Sequence, residues 1–393
     1  MASYILWTGL CVVFYTYIGY GVILGLMVFV KRKSRKTSPP ASFQILPPVT
    51  VVVAAYNEES ILRAKLENTL NLDYPKEKLR FIFVTDGSTD RSAEIVRSYP
   101  QVRHYHEPER KGKIHAVNRV MQYVQTPVTV FTDANTILNA DAIRKMVRHY
   151  DIPRVGGIAG EKRIVSVEAD NASGSGEGIY WKYESLLKQM DAEVHSIVGA
   201  AGELFSIRTA LYEPPDENMI IEDFYLSMRI VSRGYRFLYE PNAYAIETAS
   251  VSVEEEWKRK VRICAGAFQA MWRLAYILNP FRYGIVTFQY VSHRVLRWTL
   301  APLALPLIFL SNLFLASKGI PVYQLLFAAQ TGFYLLALVG YVLRDKRIAI
   351  KGFFVPYYFT VMNAAVYAGF IRLMRRKQNV TWEKARRAEW TPR

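Results

Sequence analysis

An α/β domain built on a parallel sheet and inserted between membrane-length apolar helices is the architecture that these 393 residues predict. Three observations carry that expectation. Short apolar runs alternate with helix-like stretches between Val49 and Tyr150, the pattern of strands joined by crossover helices. Four stretches without a single Asp, Glu, Lys or Arg (1–30, 298–317, 319–343 and 352–371) each reach the ~20 residues that a bilayer core requires of a helix. Residues 37–48 (TSPPASFQILPP) hold four prolines in twelve positions, which ends any helix continuing from the first apolar stretch.

Composition narrows the function classes. Hydrophobic residues make up 51% and charged residues 21%, which excludes wholesale disorder. Two cysteines, Cys11 and Cys264, exclude a disulfide scaffold and a Cys-based zinc site, and the six histidines lack paired ligand spacing. The net charge of +16 calls for an anionic partner. Much of it lies beside the apolar stretches. Lys31-Arg32-Lys33-Ser34-Arg35-Lys36 follows the first, and Arg372, Arg375, Arg376, Lys377, Lys384, Arg386, Arg387 and Arg393 follow the last. That placement favours lipid headgroups and membrane orientation over nucleic acid.

The elements follow in order. Residues 1–30 read as a retained membrane helix. A cleaved leader would begin with a basic region, carry a shorter apolar run and end in a small-x-small site. The basic cluster after it puts residue 31 onward on the cytoplasmic side of the cell membrane. After the basic and Pro-rich linker (31–48) comes the soluble α/β unit, 49–273. Its predicted strands are 49–56, 81–86 and 128–133, and its predicted helices are 57–70, 92–99, 113–124 and 139–150. A small polar loop covers 169–178 (ADNASGSGEG). Residues 274–297, with Arg282, His293, Arg294 and Arg297 among aromatics, read as an interfacial amphipathic helix. Membrane segments occupy 298–375 and a basic tail 376–393. Three crossings after residue 297 would leave that tail outside, against the charge rule; a re-entrant 352–371, with Pro356 and Asn363, would keep it inside.

In an open α/β sheet, ligands bind beyond the carboxyl ends of the strands. The loops there carry Tyr56-Asn57-Glu58-Glu59, Asp86-Gly87-Ser88-Thr89-Asp90 and Asp133-Ala134-Asn135. Singly, each is an ordinary helix cap or turn. Together they gather carboxylates that repel unless a cation shares the space, a condition met by a nucleotide with Mg²⁺ or Mn²⁺. Glu109-Arg110-Lys111-Gly112-Lys113 precedes a helix and suits a phosphate. Ile221-Glu222-Asp223 opens another helix, where one carboxylate can serve as a general base. Arg259 and Arg262 are three apart, on one helix face, as a clamp for a diphosphate.

The ordered set (VVVAAYNEE, VTDGSTD, GK…N, FTDAN, GELFSIR, IED, RxxR, then apolar helices) resembles the membrane-embedded family 2 glycosyltransferases. That group includes cellulose, chitin, hyaluronan and poly-N-acetylglucosamine synthases. The resemblance implies a GT-A (Rossmann-like) nucleotide-sugar domain. It implies donor contacts from Ala55, Tyr56, Glu58, Asp86, Lys113, Asp133, Arg259 and Arg262, and acceptor contacts from Glu203 and Glu222. Asp223 matches the catalytic base, and Asp133 with Asn135 the divalent-metal position. It implies a UDP-sugar donor and a glycan or lipid-linked acceptor, with inversion at the anomeric carbon. Asn135 stands where the family has an acid, and Ile263 where the synthases have a tryptophan. The second departure separates two expectations, a polysaccharide synthase and an enzyme adding one sugar to a lipid carrier. A nucleotide-binding membrane scaffold without catalysis is the reading from a different class.

Overall fold

The structure, a computed structural model, describes residues 1–34, 46–165, 172–248, 253–343 and 351–375. Most of the Pro-rich linker, the start of the polar loop at 169 and the basic tail 376–393 lie outside the described residues. The chain forms two compact units, one holding a sheet and one made of apolar helices.

The sheet unit comprises 31–34, 46–165 and 183–248 of the described residues. Its strands are β1 (Val49–Ala55), β2 (Leu79–Asp86), β3 (Arg103–Glu107), β4 (Val128–Asp133), β5 (Ile137–Leu138), β6 (Val155–Val165), β7 (Leu204–Arg208) and β8 (Arg236–Thr248). They form one sheet in the order β3-β2-β1-β4-β7-β6-β8-β5. The half from β3 to β4 is parallel, as the alternating pattern predicts. The other half is mixed. β7 runs antiparallel to β4 and β6, and β5 antiparallel to β8, so the parallel pairing predicted for the first strands does not extend across the whole sheet.

The reason is local to each strand. β1 (VTVVVAA) is buried along almost its whole length and reads as a central strand. β6 (VGGIAGEKRIV) mixes glycines with charges, and β8 (RFLYEPNAYAIET) contains a proline and two acids. Neither offers a continuous apolar run. The predicted helices recur as Glu59–Leu70, Ser92–Arg97, Lys113–Met121 and Ala142–Val147, the last ending in a 3₁₀ turn. The expected polar loop 169–178 is corrected for its described part. From Ala172 it belongs to the helix Ala172–Val194, whose later turns hold a run of strong helix formers (LLKQM, with Glu184 before it) that carry the weak start with them.

One core joins Val49, Val51, Val53 and Phe83 of the sheet to Leu62, Leu66, Ile95, Ile143 and Met146 of the helices. Each such side chain contributes about 1.5–3 kcal/mol by leaving water. Helix Glu59–Leu70 also buries a charge on this face. Lys65 is fully buried, and its Nζ donates to Thr132 Oγ1 (2.9 Å) and to the Thr136 carbonyl (2.9 Å). Burial lowers its pKa to about 7, against an upward pull from Asp133. The unfolded chain therefore binds one more proton between that value and the ordinary 10.5, and stability rises with pH through this window. We expect a gain of about 2 kcal/mol between pH 7 and 9 that Lys65→Met removes, read from thermal unfolding at the two pH values. A wild-type midpoint flat over that range would contradict it.

Among the described residues, three helices are long and apolar enough to cross a membrane: Ala2–Ser34, Pro321–Leu343 and Phe353–Met374. A fourth arises if Ile285–Trp298 and Leu300–Ala316, bent by 49°, count as one broken span. Helix Lys351–Met374 is continuous through Pro356. The segment 274–297, expected as an interfacial amphipathic region, begins with two short pieces, Ala275–Leu278 and Pro280–Tyr283, and continues as the helix Ile285–Trp298, which holds a π-helical turn at Val291–Val295. Asn279 caps the second piece, and Gly284, at φ 50°, separates it from the third. Within the apolar unit Tyr15 Oη pairs with Ser292 Oγ (2.7 Å), and Tyr17 Oη donates to Asn363 Oδ1 (2.9 Å).

Candidate active site

At the carboxyl ends of β1 and β2 the first two loops are laced together. Asn57, held at φ 52°, accepts from the Thr89 N–H through Oδ1 (2.8 Å), and its own N–H donates to Ser88 Oγ (3.2 Å). The Glu58 N–H donates to Ser92 Oγ (2.8 Å), and the Glu59 N–H to Asp90 Oδ2 (3.1 Å). Ala55 closes β1 and is buried, and Tyr56 carries the Arg110 guanidinium 3.6 Å above its ring. Asp86 is buried and accepts from the N–H groups of Lys111 (3.1 Å) and Gly112 (2.6 Å). Its carboxylate thus orders the basic loop. Gly87, at φ +64°, lets that loop approach, since a Cβ there would lie 2.5 Å from the Arg110 nitrogen.

The ordered loop launches helix Lys113–Met121 and aims Lys113 at the acids. Its Nζ lies 2.7 Å from Asp133 Oδ1 and 3.1 Å from Glu222 Oε1. Asp133 ends β4, and Glu222 and Asp223 form the first turn of helix Glu222–Ser232, where acids suit the macrodipole. Gly202 is the common point. A Cβ built on it would lie 3.2 Å from Lys113 Nζ, 3.3 Å from Asp223 Oδ2 and 3.8 Å from Asp133 Oδ1. The sequence places these residues up to 110 positions apart, and the fold brings them to one spot.

The electrostatics follow from that crowding. Burial, then the neighbouring Glu222 carboxylate, raises Asp223 to about 7, with Lys113 pulling the other way. Asp133 is raised as well, by burial first, and Lys113 opposes the shift. For Lys113 burial opposes the charge, but Asp133 and Glu222 outweigh it and hold the ammonium well above its ordinary value. A hard divalent cation takes oxygen ligands, and the groups gathered here include the carboxylates of Asp133, Glu222 and Asp223, with the amide of Asn135 two residues beyond Asp133, so the residue types fit such an ion.

A second layer of charge lies behind Asp133. Lys162, on β6, has a side chain 2% exposed, and its Nζ reaches Glu203 Oε1 and Glu247 Oε2, each at 2.5 Å. Asn135 Nδ2 donates to Glu247 Oε1 (3.4 Å). Glu203, expected on the acceptor side, is thereby tied to a buried lysine. Lys65, Lys162 and Glu247 were not expected from the sequence. Lys65 had a readable signal, as a lysine between Leu62, Leu66 and Thr69 on the buried helix face. Lys162 and Glu247 were hidden with their strands.

Arg259 and Arg262 belong to helix Val253–Arg273, which clusters with the apolar unit. Arg259 forks onto Glu256 through Nε (2.9 Å) and Nη2 (3.0 Å). Trp257 packs against the cluster of Val261, Cys264, Ala365 and Val366, and Trp272 is 87% exposed. Ile263 lies on the same helix, with no aromatic ring to offer.

The family model for glycosyl transferase family 2 matches residues 50–214. Among curated proteins, the poly-beta-1,6-N-acetyl-D-glucosamine synthase of Staphylococcus aureus strain COL is 26% identical over 253 residues, 62% of this chain and 60% of that protein. The synthase of the same name from Staphylococcus epidermidis is 24% identical over 258 residues, 62% of this chain and 61% of that protein. The chain thus spans about three-fifths of the length of these relatives. Among solved structures, the mannosyltransferase PcManGT from Pyrobaculum calidifontis, in complex with GDP-Man and Mn²⁺, superposes with a TM-score of 0.72 at 20% identity. That alignment covers 96% of this chain and 100% of the other, a likeness of fold. Residues 50–214 are thus similar to glycosyl transferase family 2, as are the ordered motifs they carry, and the chain has the GT-A fold.

Proposed function

We propose that the protein transfers a sugar from a nucleoside-diphosphate sugar to a glycan or lipid-linked acceptor at a membrane, with inversion at the anomeric carbon. The observation that carries this reading is the convergence of Asp133, Lys113 and Asp223 on Gly202. Asp223 takes the proton from the acceptor hydroxyl as the new C–O bond forms, and the bond from the anomeric carbon to the diphosphate oxygen breaks on the opposite face. A sugar hydroxyl is a far weaker acid than a carboxyl, so this proton moves late, and a base near neutrality suits the task better than an ordinary aspartate. Lys113 neutralises negative charge on the diphosphate, and Arg259 and Arg262 are proposed to add to it. Glu203 and Glu222 are assigned to the acceptor side, and Ala55, Tyr56, Glu58 and Asp86 to the nucleoside. Asp133 and Asn135 would hold a divalent ion, Mg²⁺ or Mn²⁺, which would supply positive charge for the leaving diphosphate.

The relatives named as synthases support a glycan product, and the solved mannosyltransferase supports a nucleoside-diphosphate sugar and a divalent ion. The long apolar helices support action at the membrane, with the sheet unit on the cytoplasmic side of the cell membrane by the charge rule. The absence of a ring at Ile263 supports single or short additions over long-chain synthesis.

The test is release of nucleoside diphosphate by the full-length protein in membranes, screened over UDP- and GDP-sugars with and without Mn²⁺. The active donor then gives a pH profile. Only the ionised Asp223 accepts a proton, so the rate rises roughly tenfold per pH unit below about 7 and levels off above it. No acceptor-dependent release from any donor would remove the catalytic reading and leave the nucleotide-binding scaffold. A profile flat from pH 5 to 8 would remove Asp223 from the base role.

A further inference from the structure

An amide at position 135 poses a problem that an acid would not. Either oxygen of an aspartate can ligate a hard cation, so the rotation of its carboxylate matters little. An amide offers one oxygen and one NH₂, and only one of its two orientations can ligate. The chain that uses Asn135 must fix that orientation.

The fold supplies the means. β5 pairs antiparallel with β8, with Ile137 opposite Ile246, so the turn after Asp133 runs beside Glu247. Asn135 Nδ2 donates to Glu247 Oε1 (3.4 Å). A carboxylate has no hydrogen to give, so the NH₂ end must be the end that faces it, and Oδ1 points away from Glu247. The remaining oxygen of Glu247, Oε2, lies 2.5 Å from Lys162 Nζ, which also reaches Glu203. The side chains of Glu247 and Lys162 are each 2% exposed, so the carboxylate is held in place by a buried ion pair.

We propose that Glu247, clamped by Lys162, is the positioning residue for Asn135: it takes the amide N–H and so presents Oδ1 as the oxygen this chain offers a divalent cation where its family carries a second acid. Glu247 acts through Asn135 and does not itself touch the ion. The inference rests on the metal-dependent reading above. It explains why a neutral residue serves at this position.

The experiment measures Mn²⁺ binding to the purified full-length protein by electron paramagnetic resonance, with UDP and with GDP in separate arms. Wild type, Glu247→Ala, and the charge-conserving double variant Asn135→Asp/Glu247→Ala are compared, with thermal unfolding as the folding control. Glu247→Ala is expected to bind Mn²⁺ about tenfold or more weakly, the usual cost of losing a group that orients a metal ligand. The double variant is expected to recover at least the wild-type affinity, because an aspartate needs no orienting partner. Glu247→Ala within threefold of wild type overturns the inference. So does a double variant as weak as the single one. Should Glu247→Ala not fold, the double variant against wild type decides alone, with recovery in favour and a tenfold loss against. A wild type that binds no Mn²⁺ with either nucleotide removes the metal reading itself, and the inference with it.

Discussion

Asp223→Asn is expected to reduce sugar transfer by about 10²–10⁴-fold, the range of a lost general base, while nucleotide binding changes by less than threefold. The amide keeps the shape and can still sit 3.3 Å from the point where Gly202 opens the site, but it cannot take a proton. The same change is expected to make the fold more stable. The native state raises this carboxyl to about 7, so ionisation at neutral pH opposes folding. The cost appears above the ordinary value of 3.8 and grows until the folded group itself ionises, near 7. Removing it yields a gain of about 4 kcal/mol at pH 7. Diphosphate release, equilibrium nucleotide binding and thermal unfolding on the same preparations read the three effects. Equal loss of transfer and nucleotide binding would mean that the side chain serves the donor. A fall in stability would mean that the carboxylate is held by favourable partners.

Lys162→Met is expected to destabilise the sheet unit by about 3–5 kcal/mol, since it leaves Glu203 and Glu247 facing each other out of water. Removing one partner of a buried ion group costs far more than replacing the whole group with neutral residues. The triple variant Lys162→Met/Glu203→Gln/Glu247→Gln is therefore expected to recover most of the loss. Chemical denaturation of the three proteins measures both steps. A single variant within 1 kcal/mol of wild type would show that the two carboxylates find other neutralisation. A triple variant no better than the single one would place the damage in packing and not in charge.

The parts of this molecule that were readable in advance share one physical property. β1, β2 and β4 are buried runs such as VTVVVAA, and an apolar run with acids just beyond it marks both a central strand and its functional end. That pattern singles out Asp86, Asp133 and Asn135, and the paired acids that open its helix single out Asp223. The second half of the sheet had no such signal. β6 is rich in glycine because neighbouring side chains press on it, and β8 holds Glu240 and Glu247, which the fold neutralises with Arg148, His149 and Lys162. Charges satisfied by distant partners look like surface residues in a linear text. The lacing of Asn57 to Ser88 and Thr89 was hidden for the same reason, since each of those residues reads as a plain cap until the two loops meet.

Gly202 has a meaning beyond its lack of a side chain. The gap it leaves is about as wide as a methyl group, and three charged groups of opposite signs look into it. A carbon at this position would stand 3.2 Å from the ammonium and 3.3 Å from an Asp223 oxygen, tighter than ordinary contact, so any larger residue here would have to push the opposite charges apart.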